Sequence, residues 1–333
     1  MMQRKRFLAW LFVGVLVILP GSIHAQTRAL KKVNVGVPAI SMGNIIIFFT
    51  KEAKIYEKHG LDAEAVVMSG SGIASRALIA GSVLISPIAT PAVMNAVLAG
   101  SDMVILGHTM PGVIQTLMVR PEIRHAEDLK GKTIGVTTFG SLGDFLVRHL
   151  ARQRGLNPDK DFALRQIGAD PERFISLKQG SIHAATLSHP TFILAQRAGF
   201  HVLWDFFKDV EYPWSEIATT RTLIKQDRDL VMRYMRAHLE GIARFKQDPE
   251  FAKKVIKKML RLDDETLAQE SWELFARHRL AAPYPNIKGM KTSYEYVAQT
   301  RPDVWKHKPE EFVDASFVEE LDQSGFIQKL YEK

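Results

Sequence analysis

The chain has 333 residues, 24% charged and 46% hydrophobic, with a formal net charge of +8 and no cysteine. That length is enough for two domains with a sizeable core. Without cysteine there are no disulfides and no thiol nucleophile, so stability must come from burial alone. The basic excess forms no dense stripe interleaved with aromatics, which argues against a nucleic-acid partner.

At the N-terminus, Arg4, Lys5 and Arg6 precede an uncharged apolar run over residues 7–19, and Pro20 and Gly21 then break it. A helix needs about 20 apolar residues to span a bilayer; this run is too short and has the layout of a secretory signal peptide, cut after Ala25. Removing residues 1–25 takes away three positive charges and no negative one, so +8 becomes +5. No cysteine follows the cut to carry a lipid, and the mature chain is expected free in the periplasm.

Beyond the leader, β-rich runs alternate with helical ones, the pattern of an α/β fold with mainly parallel strands. Residues 32–37 (KVNVGV) read as a strand ended by Pro38, 45–59 as one helix stopped by Gly60, and 61–68 as a second strand. Helix is expected at 73–80 and 91–99, with strands at 83–86 and 103–107. The pattern restarts at 128–132 (DLKGK): strands at 133–136, 162–167 and 184–187 alternate with helices at 142–153, 171–179 and 191–198. From Asp227 onward the chain reads as helical. Lys253, Lys254, Lys257 and Lys258 recur there at helical spacing, as on a solvated helix face.

The expected architecture is therefore two-lobed α/β, with the second lobe inserted in the first and a helical C-terminal section. Residues 26–117 and 220–333 would form lobe 1, and 118–219 lobe 2. Extended crossings near 113–121 and 214–222 would make a hinge that closes around a ligand.

Ligands of open α/β sheets sit beyond the carboxyl ends of the strands. Four loops there are small, hydroxylated or glycine-rich, and each leads into a helix: 40–44 with Ser41 and Met42, 69–72 with Ser69, Gly70 and Ser71, 86–90 with Ser86 and Thr90, and 137–141 with Thr138, Gly140 and Ser141. Helix starts offer free N–H groups and a positive dipole end, which suit a carboxylate, sulfonate or phosphate. Ser41, Ser69, Thr90 and Ser141 also read as ordinary N-caps. Ser188 and His189 form a fifth such loop, and Trp214 offers either a stacking surface or hinge packing. No arginine falls in these loops, Arg76 being the nearest, and Met42, Phe139 and Trp214 equally suit an apolar or aromatic pocket.

Catalytic patterns are missing. There is no HExxH, no metal-ligand spacing among the eleven histidines and no phosphate-cradling GxxxxGK[ST]. Position 67 is Val and position 139 is Phe, so neither Ser69 nor Ser141 lies in GxSxG. No catalytic residue, metal or cofactor is expected.

Several segments carry a family resemblance: 48–62 (FFTKEAKIYEKHGLD), Ser69-Gly70-Ser71, 77–81 (ALIAG), 128–136 (DLKGKTIGV), Gly199-Phe200 and 230–249. The chain resembles the substrate-binding proteins of ABC importers in the sulfonate, taurine, nitrate and pyrimidine-precursor group. The resemblance implies a type II periplasmic-binding-protein fold and a monomer that delivers a small, anionic or aromatic solute to a membrane permease. It places ligand contacts on Ser41, Met42, Ser69, Gly70, Ser71, Ser86, Thr90, Thr138, Gly140, Ser141 and Ser188. Two departures stand out. Gly81-Ser82-Val83 replaces the family's acidic segment before the third strand, and Ala53-Lys54-Ile55 replaces a glycine-containing turn, which reads as a longer helix. Alternatives are an enzyme of the same fold, of thiamine-precursor or menaquinone-pathway type, and, from another class, a periplasmic sensor module.

Overall fold

The structure, a computed structural model, describes residues 29–332. The expected signal peptide and its cut lie outside the described residues.

The first sheet starts with β1 (Lys31–Val37) and β2 (Leu61–Val67), which run parallel with Val33 opposite Ala63 and Val35 opposite Ala65. A further pair, β3 (Met103–Met110) and β9 (Trp214–Thr220), runs antiparallel. Residues 84–86 join the two pairs. Gly36 N donates to Ile85 O at 2.8 Å, and Ser86 and Ala218 exchange both backbone hydrogen bonds at 2.9 Å. The strand expected at 83–86 is thus present only as isolated bridges, because Pro87 follows immediately and has no N–H to extend a ladder.

The second sheet has the order β6–β5–β7–β4–β8. It comprises β4 (Gln115–Val119), β5 (Thr133–Val136), β6 (Ala163–Gln166), β7 (Ala184–Ser188) and β8 (His201–Asp205). β5 is parallel to β6 and β7, while β4 is antiparallel to β7 and β8. β4 lies in the stretch expected as an extended crossing, and β8 was not expected as a strand. All of β4 pairs within the second sheet and all of β9 within the first, so the chain passes between sheets at 111–114 and 206–213. An extended run has one sequence pattern whether it crosses or pairs.

The segment 45–59 is two helices, Ile45–Glu52 and Ile55–Lys58, broken where Lys54 adopts φ 55°. The expected longer helix is corrected: the turn survives without its glycine, Lys54 taking the left-handed conformation.

The C-terminal section is helical as expected, led by Arg228–Gln247, Pro249–Leu260 and Glu265–His278. Each of the three starts on an aspartate (Asp227, Asp248, Asp264) whose side chain accepts from a backbone N–H three residues on. The first buries Leu230, Tyr234, His238, Ile242 and Phe245 at helical spacing. Phe245 and Phe251 meet the edge of Phe49 at 5.4 and 5.3 Å, which seats this section on the helix after β1. The lysine repeat is a solvated face: Lys253 and Lys257 pair with Glu265, and Lys258 with Glu52. Among the described residues no helix is long and apolar enough to cross a membrane.

Candidate functional site

A cavity of about 70 Å³ lies between the two sheets, at the loops that follow their parallel strands. The loop after β1 contributes Ser41 and Asn44, the loop after β2 Gly70 and Ser71, and the loop after residues 84–86 Pro87 and Ala89. From the second sheet come Gln115 at the start of β4, and Thr137 and Ser141 after β5. The start of β9 supplies Trp214, Ser215 and Glu216.

The lobes are in contact across this cavity. Gly70 has φ 85° and ψ 163°, a region essentially restricted to glycine. A Cβ there would overlap Thr138 Oγ1 and lie 3.5 Å from Ser141 Cβ, both on the opposite lobe.

Five expected residues line the cavity: Ser41, Gly70, Ser71, Ser141 and Trp214. Two of the hydroxyls are also committed to structure, since Ser71 Oγ accepts from Ala89 N at 3.2 Å and Ser141 Oγ caps Asp144 N at 3.5 Å. Gly43 makes room for Trp214, because a Cβ on it would collide with the indole, and Phe275 packs at 6.2 Å from the ring.

The other expected residues are placed elsewhere, for identifiable reasons. Met42 is fully buried in the core, and Ser69 is exposed outside the lining. Ser86 Oγ is buried against Gly36. Thr90 is buried behind the cavity, donating to Glu216 Oε1 at 3.1 Å. Thr138 packs on Gly70, and Gly140 N donates to Asp144 Oδ2 at 2.9 Å. Ser188 donates to Asp170 through both its N–H, at 2.8 Å, and its hydroxyl. His189 pairs with Ser271 Oγ at 3.1 Å and packs at 5.3 Å from Phe192; burial pushes its pKa down to about 4, so it is a neutral packing residue.

Five further polar residues line the cavity: Asn44 and Thr137, which lie in the expected loops but were not singled out, and Gln115, Ser215 and Glu216, which sequence reasoning missed. Glu216 is 4% exposed. Its Oε1 accepts from Tyr212 Oη at 2.7 Å, Thr90 N at 3.0 Å and Thr90 Oγ1 at 3.1 Å. Burial pushes its pKa up to about 7, and these hydrogen bonds hold it from rising further. The signal for it was one acid inside an otherwise apolar and hydroxylated run, WSEIATT. No lysine or arginine lines the cavity. Arg76 is exposed along a separate groove beside Phe145 and Tyr296, so the expected preference for an anion has no cationic side chain behind it. Among the described residues no cluster of three His, Asp or Glu could hold a metal ion.

The model of the family described as NMT1/THI5 like matches residues 43–252. The chain belongs to that family. A binding protein of Brucella abortus is 29% identical over 277 residues, covering 81% of this chain and 83% of the relative. An ABC transporter periplasmic binding protein of Brachyspira hyodysenteriae is 23% identical over 266 residues, covering 75% and 76%. Among solved structures, the periplasmic aliphatic sulphonate binding protein SsuA from Escherichia coli superposes with a TM-score of 0.65 at 18% identity, over 86% of this chain and 97% of that one. That likeness shows the two-lobed periplasmic-binding-protein fold.

Proposed function

We propose that this member of the NMT1/THI5-like family is an exported solute-binding protein. It captures a small flat solute between its lobes and presents it, as a monomer, to the membrane permease of an ABC importer. It binds without chemistry, and the leader is removed after Ala25. The lobes are divided where the sheets change, at 111–114 and 206–213.

One observation carries this reading: a small cavity walled by both lobes, with Trp214 beside Glu216 and no nucleophile–base pair or metal cluster among its lining residues. Only a ligand that touches both lobes shifts an open–closed equilibrium toward closed. The Brachyspira relative is named as an ABC transporter periplasmic binding protein, which supports delivery to an importer. The SsuA neighbour is named for sulphonates. In this chain the one charged side chain of the lining is a carboxyl, which favours a nitrogenous ring carrying an N–H donor, packed on Trp214. A charge-assisted hydrogen bond to Glu216 is worth about 1.5–3 kcal/mol.

The test is a thermal-shift screen of residues 26–333 against heteroaromatic amines, pyrimidines, aromatic carboxylates, sulfonates and nitrate. A solute at one hundred times its Kd stabilises by about 2.7 kcal/mol. The stabilising solute should be an amine or aminopyrimidine, and its shift should vanish in Glu216→Gln and in Trp214→Ala. Stabilisation by sulfonates or nitrate alone would overturn the proposed solute class, and turnover of any panel compound would overturn binding without chemistry.

A further inference from the structure

Trp214, Ser215 and Glu216 are consecutive residues of one strand, yet all three line the cavity. In a regular strand Trp214 and Glu216 share one face and Ser215 points to the other, so Ser215 is the residue out of pattern. The exception is made at Ser215, whose φ of 59° is left-handed. A non-glycine residue held there is strained and reverts to extended backbone unless its surroundings hold it.

The surroundings converge on one side chain. Arg279, 2% exposed, follows the helix Glu265–His278 and reaches under the cavity. Its Nη1 donates to Thr109 Oγ1 at 2.9 Å, and Thr109 Oγ1 donates on to Ser215 O at 3.1 Å. Its Nη2 donates to Met42 O at 2.8 Å and Gly43 O at 2.9 Å, and Ser215 Oγ donates to the same Gly43 O at 2.8 Å. One arm of the guanidinium thus reaches the Ser215 carbonyl through Thr109, and the other shares the acceptor Gly43 O with the Ser215 hydroxyl. Among the described residues no carboxylate pairs with Arg279, and burial alone lowers its pKa. A buried arginine without an acid is costly to keep; here Nη1 and Nη2 go to two backbone carbonyls and one hydroxyl of the frame around the cavity, while the buried Nε has no hydrogen-bond partner.

We propose that Arg279 is the positioning residue of the binding site, a clamp that holds the left-handed Ser215 and with it the setting of Trp214 and Glu216 in the lining. It touches no solute itself. The clamp also ties the loop after β1 to the start of β9, so the C-terminal helices set the geometry of a cavity built from the two sheets. Lysine cannot replace it, since one ammonium lacks the planar fork that serves both arms. The inference rests on reading the cavity as the solute site, but its readouts need no solute, so an error in the solute class leaves it to stand or fall alone.

The test is the titration of the Glu216 carboxyl, followed by NMR in mature protein labelled with ¹³C-carboxyl glutamate and assigned with Glu216→Gln. In the wild type Glu216 should titrate at about 7, because burial raises it against the hydrogen bonds from Tyr212 and Thr90. In Arg279→Met, Ser215 relaxes, the cage opens, and the midpoint moves toward the ordinary 4.5. In Arg279→Met with Ser215→Gly the midpoint returns toward the wild-type value, since glycine takes the left-handed conformation unaided. Arg279→Lys shifts the midpoint in the same direction as Arg279→Met. If Arg279→Met does not fold, Thr109→Val cuts the arm to Ser215 O without changing the side chain's shape and should lower the midpoint too. A folded Arg279→Met or Thr109→Val with an unchanged midpoint overturns the proposal. So does a glycine at 215 that fails to restore it, because a purely structural arginine would not be rescued there.

Discussion

Gly70→Ala separates the cost of a strained backbone from the cost of blocked closure. Gly70 occupies φ 85° and ψ 163° in the first lobe, and an alanine held there costs about 1–3 kcal/mol. That cost is paid in the open and closed forms alike and appears as lost stability. The second cost exists only when the lobes meet, because the new Cβ overlaps Thr138 Oγ1 of the opposite lobe and lies 3.5 Å from Ser141 Cβ. Closure must then stop short or Thr138 must rotate, and a penalty of about 1.4 kcal/mol already weakens solute binding tenfold. Calorimetric affinities for a solute from the screen, with small-angle scattering to report closure, measure the second cost. Chemical denaturation measures the first. Adding Thr138→Ala should restore most of the affinity and none of the stability. Gly70→Ala that binds as tightly as wild type, or a loss that Thr138→Ala does not repair, would refute the contact between lobes.

Lys54 is exposed and left-handed at φ 55°, so Lys54→Gly should stabilise by about 1 kcal/mol in urea denaturation, the relief of strain exceeding glycine's entropy. Phe49 is fully buried between Phe245 and Phe251, and Phe49→Ala should cost about 3–5 kcal/mol in the same assay, with unchanged solute affinity in the folded fraction. Glu216, with its folded pKa raised from 4.5 to about 7, binds more protons folded than unfolded between those values. Its contribution is therefore complete below pH 4.5 and is lost as pH rises to 7, by up to about 3 kcal/mol. Glu216→Gln should gain stability relative to wild type over that interval; a difference that stays flat with pH would contradict the buried carboxyl. His108, His189 and His238, pushed by burial down to about 3, 4 and 3, act in the opposite sense. Their contribution is lost as pH falls below 6.5, so the wild type should unfold in acid, and His238→Phe should unfold at lower pH.

The alternation of strands and helices was legible in the chain because hydrophobic period and turn residues are local properties. The strand at 133–136 and the helix at 142–153 lie where the sequence puts them, as do the loops carrying Gly70, Ser71 and Ser141. Where two solutions share one local pattern, the sequence was silent. Residues 115–119 and 214–220 read as extended, but whether they cross or pair depends on partners far away in the chain. Lys54 carries no local sign of a turn, since a lysine seldom takes left-handed backbone.

The site divides in the same way. Its small hydroxylated residues announce themselves because the starts of helices need caps. Glu216, Ser215 and Gln115 do not, since a residue enters a cavity by the kink of its strand and the meeting of two sheets. Tertiary structure decided the chemistry: it put a carboxyl rather than a cation in the lining, and closed a hydrogen-bond ring from Arg279 to Ser215. The physical reason is range. Propensity and periodicity act over a few residues, whereas burial of a charge and the holding of a strained φ depend on groups that meet only after the chain has folded.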